Sequence, residues 1–125
     1  MADLFPAVDC GTNSTRLLIG DGGQAVERLM RITRLGQGVD RTGRLAEEAL
    51  ERTFAAVEEY AALIARHMME QLSGIPSEAE NASEFRYRDP ILDSRTLVVA
   101  IAQSGETADT LSAMEEAARK GARLI

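Results

Sequence analysis

A chain of 125 residues, 45% of them hydrophobic, can bury a core and is too apolar for wholesale disorder. Its formal net charge is -6, and its cations, almost all arginine, alternate with acids. This pattern argues against nucleic-acid binding, which needs clustered cations. A single cysteine excludes an intramolecular disulfide, and one cysteine with one histidine disfavours a structural zinc site. We therefore expect a globular chain of the reducing cytoplasm.

No segment has the pattern of a membrane span or of a signal peptide. The strongest apolar run, residues 96–102, has only the length of a strand. Residues 1–6 lack the basic region followed by an apolar one that a signal peptide requires. We expect no membrane partner, while composition leaves the oligomeric state open.

The first third of the chain predicts three antiparallel strands. An apolar run at 5–9 ends in the small polar loop 10–14, and a second run at 15–20 ends in the glycine turn 21–23. Residues 25–35 mix apolar and charged side chains, as a half-exposed strand does. The connections are too short for parallel crossovers, so the strands should form two hairpins.

The hydrophobic period becomes helical from residue 45 to residue 72. Gly74 followed by Pro76 predicts the end of this helix. The apolar stripe keeps its phase through His67, so we expect the helix to be unbroken there. The stripe consists of Leu50, Phe54, Val57, Ala61, Ile64, Met68 and Leu72.

The last third predicts a strand, a loop, a helix and a further strand, which together make a βαβ unit. The continuous apolar run 96–102 is typical of a strand that is covered on both faces. The loop 103–107 precedes a helix over 108–120, and a new strand begins at Ala122. The helix side chains expected to face inward are Leu111, Met114 and Ala118.

Residues 7–19, with the sequence AVDCGTNSTRLLI, resemble the opening motif of the Ppx/GppA (exopolyphosphatase/guanosine pentaphosphate phosphatase) family. The likeness continues through residues 31–40 and fades near His67. It implies an actin/sugar-kinase-like fold whose first strand delivers a phosphate-binding loop, with Asp9 holding a water or a divalent metal such as Mg²⁺ beside the phosphate. The residues implied to contact phosphate oxygens through backbone N–H groups and hydroxyls are Gly11, Thr12, Asn13 and Ser14.

Residues 82–90 and 103–111 resemble the isomerase part of glutamine–fructose-6-phosphate aminotransferase, a sugar isomerase (SIS) fold. The resemblance implies that a sugar phosphate places its phosphate at a helix N-terminus, where the amides and the helix dipole favour an anion. One departure is Ala102, which stands where the family usually has a serine. The residues implied to hold the phosphate are Gln103, Ser104, Gly105 and Thr107.

The two resemblances predict a composite chain, with residues 1–67 from one family and residues 68–125 from the other, joined within the long helix. We expect one α/β unit built on a single mixed sheet. In it, the antiparallel, actin/sugar-kinase-like portion is joined through the helix to the SIS-like βαβ portion. Strand 96–102 should pair in parallel with strand 5–9, so that both phosphate loops open at the same edge of the sheet.

Both parts lack catalytic groups that the resemblances lead us to expect. The strand with the phosphatase general-base glutamate and the second glycine-rich phosphate loop is missing, as are the glutamate, histidine and lysine of the isomerase. We therefore expect a module that binds a small phosphorylated ligand, either phosphate or a sugar phosphate, and is inactive alone. Two alternatives stay open. The chain is a fragment of an exopolyphosphatase-type phosphohydrolase or of the aminotransferase, or it is a chimeric or designed scaffold without activity.

Three reactive side chains are expected to have structural roles. Cys10 should be a small buried residue, because no histidine is placed to activate it as a nucleophile. His67 should lie on the surface of the helix. Glu106, in the first turn of the last helix, should complement the helix dipole.

Overall fold

The computed structural model describes residues 3–102 and 108–125, which form two compact units that divide between Ser77 and Glu78. Within the described residues the chain has five strands and four helices. The predicted α/β class is confirmed, whereas the strands are divided between two sheets instead of forming one.

The first unit contains a three-stranded antiparallel sheet in chain order. It consists of β1 (Phe5–Cys10), β2 (Ser14–Gly20) and β3 (Ala25–Ile32). Residues pair from Phe5 opposite Gly20 to Cys10 opposite Thr15, and β2 pairs along its length with β3. The two predicted hairpins are therefore confirmed, although β3 ends before residue 35.

Two helices complete this unit, the short α1 (Val39–Thr42) and the long α2 (Glu47–Ser73). Ala46 is extended immediately before α2, and the helix ends where Gly74 adopts a φ of 68° and donates its N–H to the carbonyl oxygen of Glu70 at 2.9 Å. The helix is continuous through His67, as its apolar phase predicted. A glycine is needed at the end because only this residue enters the left-handed region without strain.

The core of the first unit lies between β2 and α2. Leu17, Ile19 and Tyr60 are almost fully buried there. Ala49 and Ala56 lie on the same face of α2 and let the helix approach the sheet closely. Of the apolar stripe that the sequence shows, only Ile64 packs against this core, so the stripe is not the main face that packs on the sheet. Its exposed members are Phe54, Val57, Met68 and Leu72.

Ionic contacts join one flank of α2 to β3. Arg31 donates from Nε to Glu59 Oε2 at 2.9 Å. Glu27 Oε2 lies 2.9 Å from His67 Nε2 and 3.3 Å from Arg66 Nη2. The His67 side chain is only 11% exposed, so the expectation of a surface histidine is wrong. The His67 ring lies against Glu27 because the flank of α2 that faces β3 carries the polar side chains.

The second unit contains α3 (Ala82–Tyr87), β4 (Leu97–Val98), α4 (Ala108–Arg119) and β5 (Arg123–Leu124). β4 and β5 pair in parallel, and Ala100 donates to the carbonyl oxygen of Ile125 at 2.9 Å just beyond them. Helix α3 contacts α4, and Lys120 Nζ donates to the carbonyl oxygen of Pro90 at 2.6 Å. The sequence did not predict α3.

The predicted parallel pairing of strand 96–102 with strand 5–9 is wrong. β4 lies in a different sheet from β1, and its partner is β5, which is much closer along the chain. Closing the shorter loop costs less conformational entropy. The single mixed sheet that would have brought both phosphate loops to one edge is therefore not formed.

Burial in the second unit also differs from the prediction. Leu97, Val99 and Ile101 are 44%, 48% and 40% exposed, so the apolar run is not covered on both faces. On α4 the buried residues are Ala113 and Ala117, whereas Leu111 and Ala118 are exposed. Small side chains, not the largest apolar ones, form the contact face, as expected where two helices approach closely.

Proline substitutions at two positions of α2 test whether the helix is continuous. Ala61→Pro should lower the free energy of unfolding by about 3 kcal/mol or more, because it removes a helical hydrogen bond and clashes with the preceding turn. Glu47→Pro is the matched control. Glu47 is the first residue of α2 and follows an extended Ala46, so proline should fit there at little cost. Urea denaturation of both variants decides; equal losses would contradict a continuous helix at Ala61.

Candidate functional site

The turn between β1 and β2, residues 11–14, is the predicted phosphate loop that the structure describes. Gly11 donates its N–H to the carbonyl oxygen of Ser14 at 2.9 Å, which closes the turn. A Cβ on Gly11 would lie 3.0 Å from that same oxygen, so the close approach requires glycine here. The amide of Gly11 is thus used within the turn, while Thr12 and Asn13 are exposed.

A second loop, residues 33–36, holds this turn from the side. The N–H groups of Thr33 and Arg34 donate to the carbonyl oxygen of Asn13 at 3.1 and 3.0 Å. The N–H of Gly36 donates to the carbonyl oxygen of Thr12 at 2.9 Å, and a Cβ on Gly36 would lie 3.2 Å from Thr12 Cβ. Arg34 adopts a φ of 49°, a strained value for a residue other than glycine.

These carbonyl contacts determine where the remaining amides of the turn point. Within one planar trans peptide the C=O and the N–H point in opposite directions. Because the carbonyls of Thr12 and Asn13 point at residues 33–36, the N–H groups of Asn13 and Ser14 point away from them. Within residues 3–102 and 108–125, the N–H groups of Thr12 and Asn13 have no hydrogen-bond acceptor. The turn therefore presents amides that an anion can accept from.

Helix α2 supports both loops through hydrogen bonds to residues within or next to them. Tyr60 donates its hydroxyl to the carbonyl oxygen of Thr15 at 2.8 Å, and Thr15 Oγ1 lies 3.0 Å from Thr33 Oγ1, where both side chains are buried. Arg52 donates from Nε to the carbonyl oxygen of Thr33 at 3.0 Å and from Nη2 to Gln37 Oε1 at 3.2 Å. Sequence reasoning missed the roles of these five residues. The polar Thr53 and Tyr60 on the same helical face as Ala49 and Ala56 were the available signal.

Charged groups adjoin the turn on the side of the sheet opposite α2. Arg16 donates from Nε to Ser14 Oγ at 3.3 Å, and Asp9 lies directly opposite Arg16 across the β1–β2 ladder. Both are exposed. Cys10 is exposed as well, so the expectation that it is buried is wrong. It lies on an outer strand that no other strand among the described residues covers.

An open depression extends from these charged groups along the same side of the sheet. Its volume is about 640 Å³. Ala7, Leu18 and Met30 line it together with Arg16 and Arg28. The turn thus borders a surface that is apolar at its floor and carries two guanidinium groups.

The described residues contain no group of three or more His, Cys, Asp or Glu side chains that could hold a metal ion by itself. Asp9 alone fits the requirements of Mg²⁺ only when a phosphate supplies further oxygens, since Mg²⁺ keeps several waters and commonly takes one or two carboxylates plus phosphate. Asp9 is therefore compatible with the metal role implied by the family resemblance but does not define a site.

The second predicted phosphate loop lies outside the described residues. Its members are Gln103, Ser104, Gly105 and Thr107, together with Glu106. Their assigned roles stay predictions. The helices that the structure describes include none of the length and apolarity needed to cross a bilayer.

Two family models match the chain. The model of the Ppx/GppA phosphatase family matches residues 9–88, and the SIS domain model matches residues 56–125. The matches overlap over residues 56–88, which include most of α2. The predicted double resemblance is therefore confirmed.

Curated relatives of the chain carry the name glutamine–fructose-6-phosphate aminotransferase (isomerizing). The Streptomyces coelicolor protein is 61% identical over 66 residues, the Thermus thermophilus protein 58% and the Symbiobacterium thermophilum protein 54%. Each match covers 53% of this chain and 11% of the relative. The chain thus spans only about a tenth of the length of these proteins.

Solved structures similar to the chain include an Aquifex aeolicus member of the Ppx/GppA family. It is 26% identical with a TM-score of 0.45, and the match covers 67% of this chain and 37% of that one. An exopolyphosphatase-like protein is 29% identical with a TM-score of 0.44, over 82% of this chain and 46% of that one.

The contribution of Tyr60 to the free energy of unfolding should depend on pH, and the variant Tyr60→Phe should show this. Burial raises the pKa of Tyr60 above its usual 10.0, and the charge of Glu59 raises it further against the opposing effect of Arg31. A raised pKa means that the unfolded tyrosine loses its proton first, so Tyr60 stabilises the fold fully below pH 10.0 and progressively less above it. Tyr60→Phe should cost about 1 kcal/mol at neutral pH.

Chemical denaturation of both proteins between pH 7 and pH 11 measures this effect. The free energy difference between the wild type and Tyr60→Phe should shrink as the pH rises above the ordinary tyrosine value. A difference that stays constant with pH would contradict the prediction, because it would mean that the pKa of Tyr60 is the same in the folded and unfolded states. Tyr87→Phe, at a side chain that is 80% exposed, is the control and should change the free energy of unfolding little, because it removes no buried contact.

Proposed function

We propose that this chain, which belongs to the Ppx/GppA phosphatase family over residues 9–88 and to the SIS domain family over residues 56–125, binds a small phosphorylated ligand through its phosphate group. The binding site for that group is the turn of residues 11–14. The chain alone does not turn the ligand over.

The direction of the turn amides carries this proposal. Contacts from residues 33–36 hold the carbonyls of Thr12 and Asn13 on one side, so the N–H groups of Asn13 and Ser14 point to the other side. Successive outward N–H groups form a concavity that favours anions. Arg16, hydrogen-bonded to Ser14 Oγ, brings a permanent positive charge to the same place.

The ligand class follows from both parts of the chain. The curated relatives are named for an aminotransferase that acts on fructose 6-phosphate, so a sugar phosphate is the class that the second part supports. Its loop at residues 103–107 is the proposed contact there. Mg²⁺ bound between Asp9 and a phosphate oxygen would relieve the repulsion between that carboxylate and the ligand.

The segments 1–67 and 68–125 are proposed as units of ancestry. The compact units divide ten residues later, between Ser77 and Glu78, so that the whole of α2 belongs to the first unit. The proposed junction between the two families and the boundary between the compact units thus lie at different residues. A helix whose two parts are joined in phase folds as one element, so the junction does not divide it.

Phosphate binding is tested by thermal unfolding at increasing phosphate or fructose 6-phosphate concentration. A ligand that binds only the native state raises the melting temperature, and we expect a dissociation constant in the millimolar range, about −4 kcal/mol. Arg16→Gln should weaken binding about tenfold by removing a charged donor. Thr12→Val should weaken it less.

Arg28→Gln is the matched control. Arg28 is exposed on the same side of the sheet as Arg16, but it lies farther from the turn. It should leave phosphate affinity nearly unchanged. Sodium chloride at equal ionic strength should not raise the melting temperature. An equal rise with chloride, or an equal loss in Arg28→Gln, would contradict a site at the turn. Ser104→Ala combined with Thr107→Val tests the second loop separately.

The chain alone should hydrolyse neither polyphosphate nor guanosine pentaphosphate and should not isomerise fructose 6-phosphate. Turnover needs an acid or base within about 3 Å of the reacting proton, and Asp9 has no histidine or lysine partner among the described residues. Phosphate release and coupled isomerase assays on protein purified by two unrelated routes check this. Turnover that survives both purifications and disappears in Asp9→Asn would favour the enzyme-fragment alternative.

A further inference from the structure

Two hydrogen-bonded peptide groups connect Arg52 to the turn that is proposed to bind phosphate. Arg52 donates from Nε to the carbonyl oxygen of Thr33 at 3.0 Å. The N–H of that same peptide belongs to Arg34, and it donates to the carbonyl oxygen of Asn13 at 3.0 Å. The N–H of the next peptide belongs to Ser14 and points toward the proposed ligand. We call this series, from Arg52 to the Ser14 N–H, the hydrogen-bond relay.

All the groups of the relay are polarised in the same direction. The carbonyl and the N–H of a planar trans peptide point in opposite directions. A guanidinium at the Thr33 carbonyl therefore draws electron density from the N–H of Arg34, and the next peptide passes this effect to the N–H of Ser14. Hydrogen bonds in series strengthen one another by roughly 10–30% per bond. The Ser14 N–H thus becomes a stronger donor to an anion.

The contacts of Arg52 leave its positive charge available to the relay. Its two acceptors are the Thr33 carbonyl and, from Nη2 at 3.2 Å, Gln37 Oε1, and both are uncharged. Thr33 is only 1% exposed, and its hydroxyl lies 3.0 Å from Oγ1 of the buried Thr15, so the first bond of the relay is partly buried. A charge acts more strongly through partly buried groups than through bulk water.

The backbone at the centre of the relay is strained, and Arg52 contacts the residues on both sides of the strain. Arg34 has a φ of 49°, which is unusual for a residue other than glycine. Its carbonyl oxygen accepts from the N–H of Gln37 at 2.9 Å. Strain of this kind persists only where surrounding contacts over-determine the backbone. By holding Thr33 and Gln37, Arg52 supplies two such contacts.

We propose that Arg52 is a positioning residue for the phosphate, which it helps to bind through these two peptide groups without touching the ligand. The inference rests on the proposed binding of phosphate at the turn. The guanidinium fixes the direction of the Thr33–Arg34 peptide, and its charge strengthens the Ser14 N–H as a donor. Linkage between two contacts is reciprocal, so bound phosphate strengthens the bond from Arg52 to Thr33.

Two substitutions at Arg52 test the proposal when the full chain is titrated with inorganic phosphate and followed by amide chemical shifts. Arg52→Met keeps a long unbranched side chain with a similar helix propensity but removes both the donor and the charge. It should weaken phosphate binding at least about threefold. Arg52→Lys keeps a charged donor that can reach the Thr33 carbonyl, so it should bind phosphate more tightly than Arg52→Met does. Equal affinities of the two variants would overturn the proposal.

Arg31→Met is the matched control. Arg31 also makes a contact with α2, through Glu59, and it lies opposite Thr15 in the ladder, but it is not part of the relay. Both arginine-to-methionine variants should lose similar stability, whereas only Arg52→Met should lose phosphate affinity. An equal loss of affinity in both would overturn the proposal. So would an unchanged affinity of Arg52→Met while Arg16→Gln weakens binding, a result that leaves the phosphate site itself intact.

Amide proton resonances test the relay without any ligand. Weaker hydrogen bonds move amide protons upfield, so the Arg34 N–H should move upfield in Arg52→Met and move less in Arg31→Met. An Arg34 resonance that stays unchanged in Arg52→Met would overturn the relay, whether or not phosphate binds. In the wild type, added phosphate should slow the hydrogen exchange of Arg52 Nε–H. A wild type that binds no phosphate would overturn both the proposed site and this role of Arg52.

Discussion

The packing of α2 against β2 is the interaction on which the first unit depends. Tyr60 lies completely buried beside Leu17 and Ile19, and its hydroxyl reaches the backbone at Thr15. A buried tyrosine hydroxyl needs a partner, so the hydrogen bond fixes the position of the helix along the strand as well as its distance from it. From that position Arg52 reaches residues 33–37, which in turn hold the turn of residues 11–14. The geometry proposed for phosphate binding therefore depends on the position of α2.

Local patterns in the sequence predicted the elements of the first unit well. Short glycine turns between apolar runs indicate hairpins wherever they occur, and Gly74 ends α2 by a mechanism that needs no tertiary context. The choice of the buried helical face was harder. Ala49 and Ala56 are small, and the larger apolar residues of the stripe occupy the neighbouring flank. Hydrophobicity alone ranks the stripe higher, whereas close packing against a sheet favours the small side chains.

Long-range pairing and support of the site could not be predicted in the same way. The run 96–102 is apolar enough for a strand covered on both faces, yet nothing in its composition specifies whether β1 or β5 is its neighbour. The motif of residues 9–14 located the turn correctly, but the contacts that support it join residues far apart in sequence. They run from Thr33 to Asn13, from Arg52 to Thr33 and from Tyr60 to Thr15. Spacing rules describe neighbours along the chain, while these contacts depend on where the helix lies on the sheet.

The order of the strands has a consequence for how the chain folds. In the first sheet each strand pairs with the next one in sequence, and α2, which packs on the sheet, follows after the short α1. Contacts between elements that are near in sequence have low contact order, which favours rapid folding. During synthesis, which adds about 5–20 residues per second, the first unit has all its elements once Ser77 has left the ribosome. We therefore expect this unit to reach its native structure before the second unit is fully synthesised, so that defects in residues 78–125 would not prevent the turn of residues 11–14 from forming.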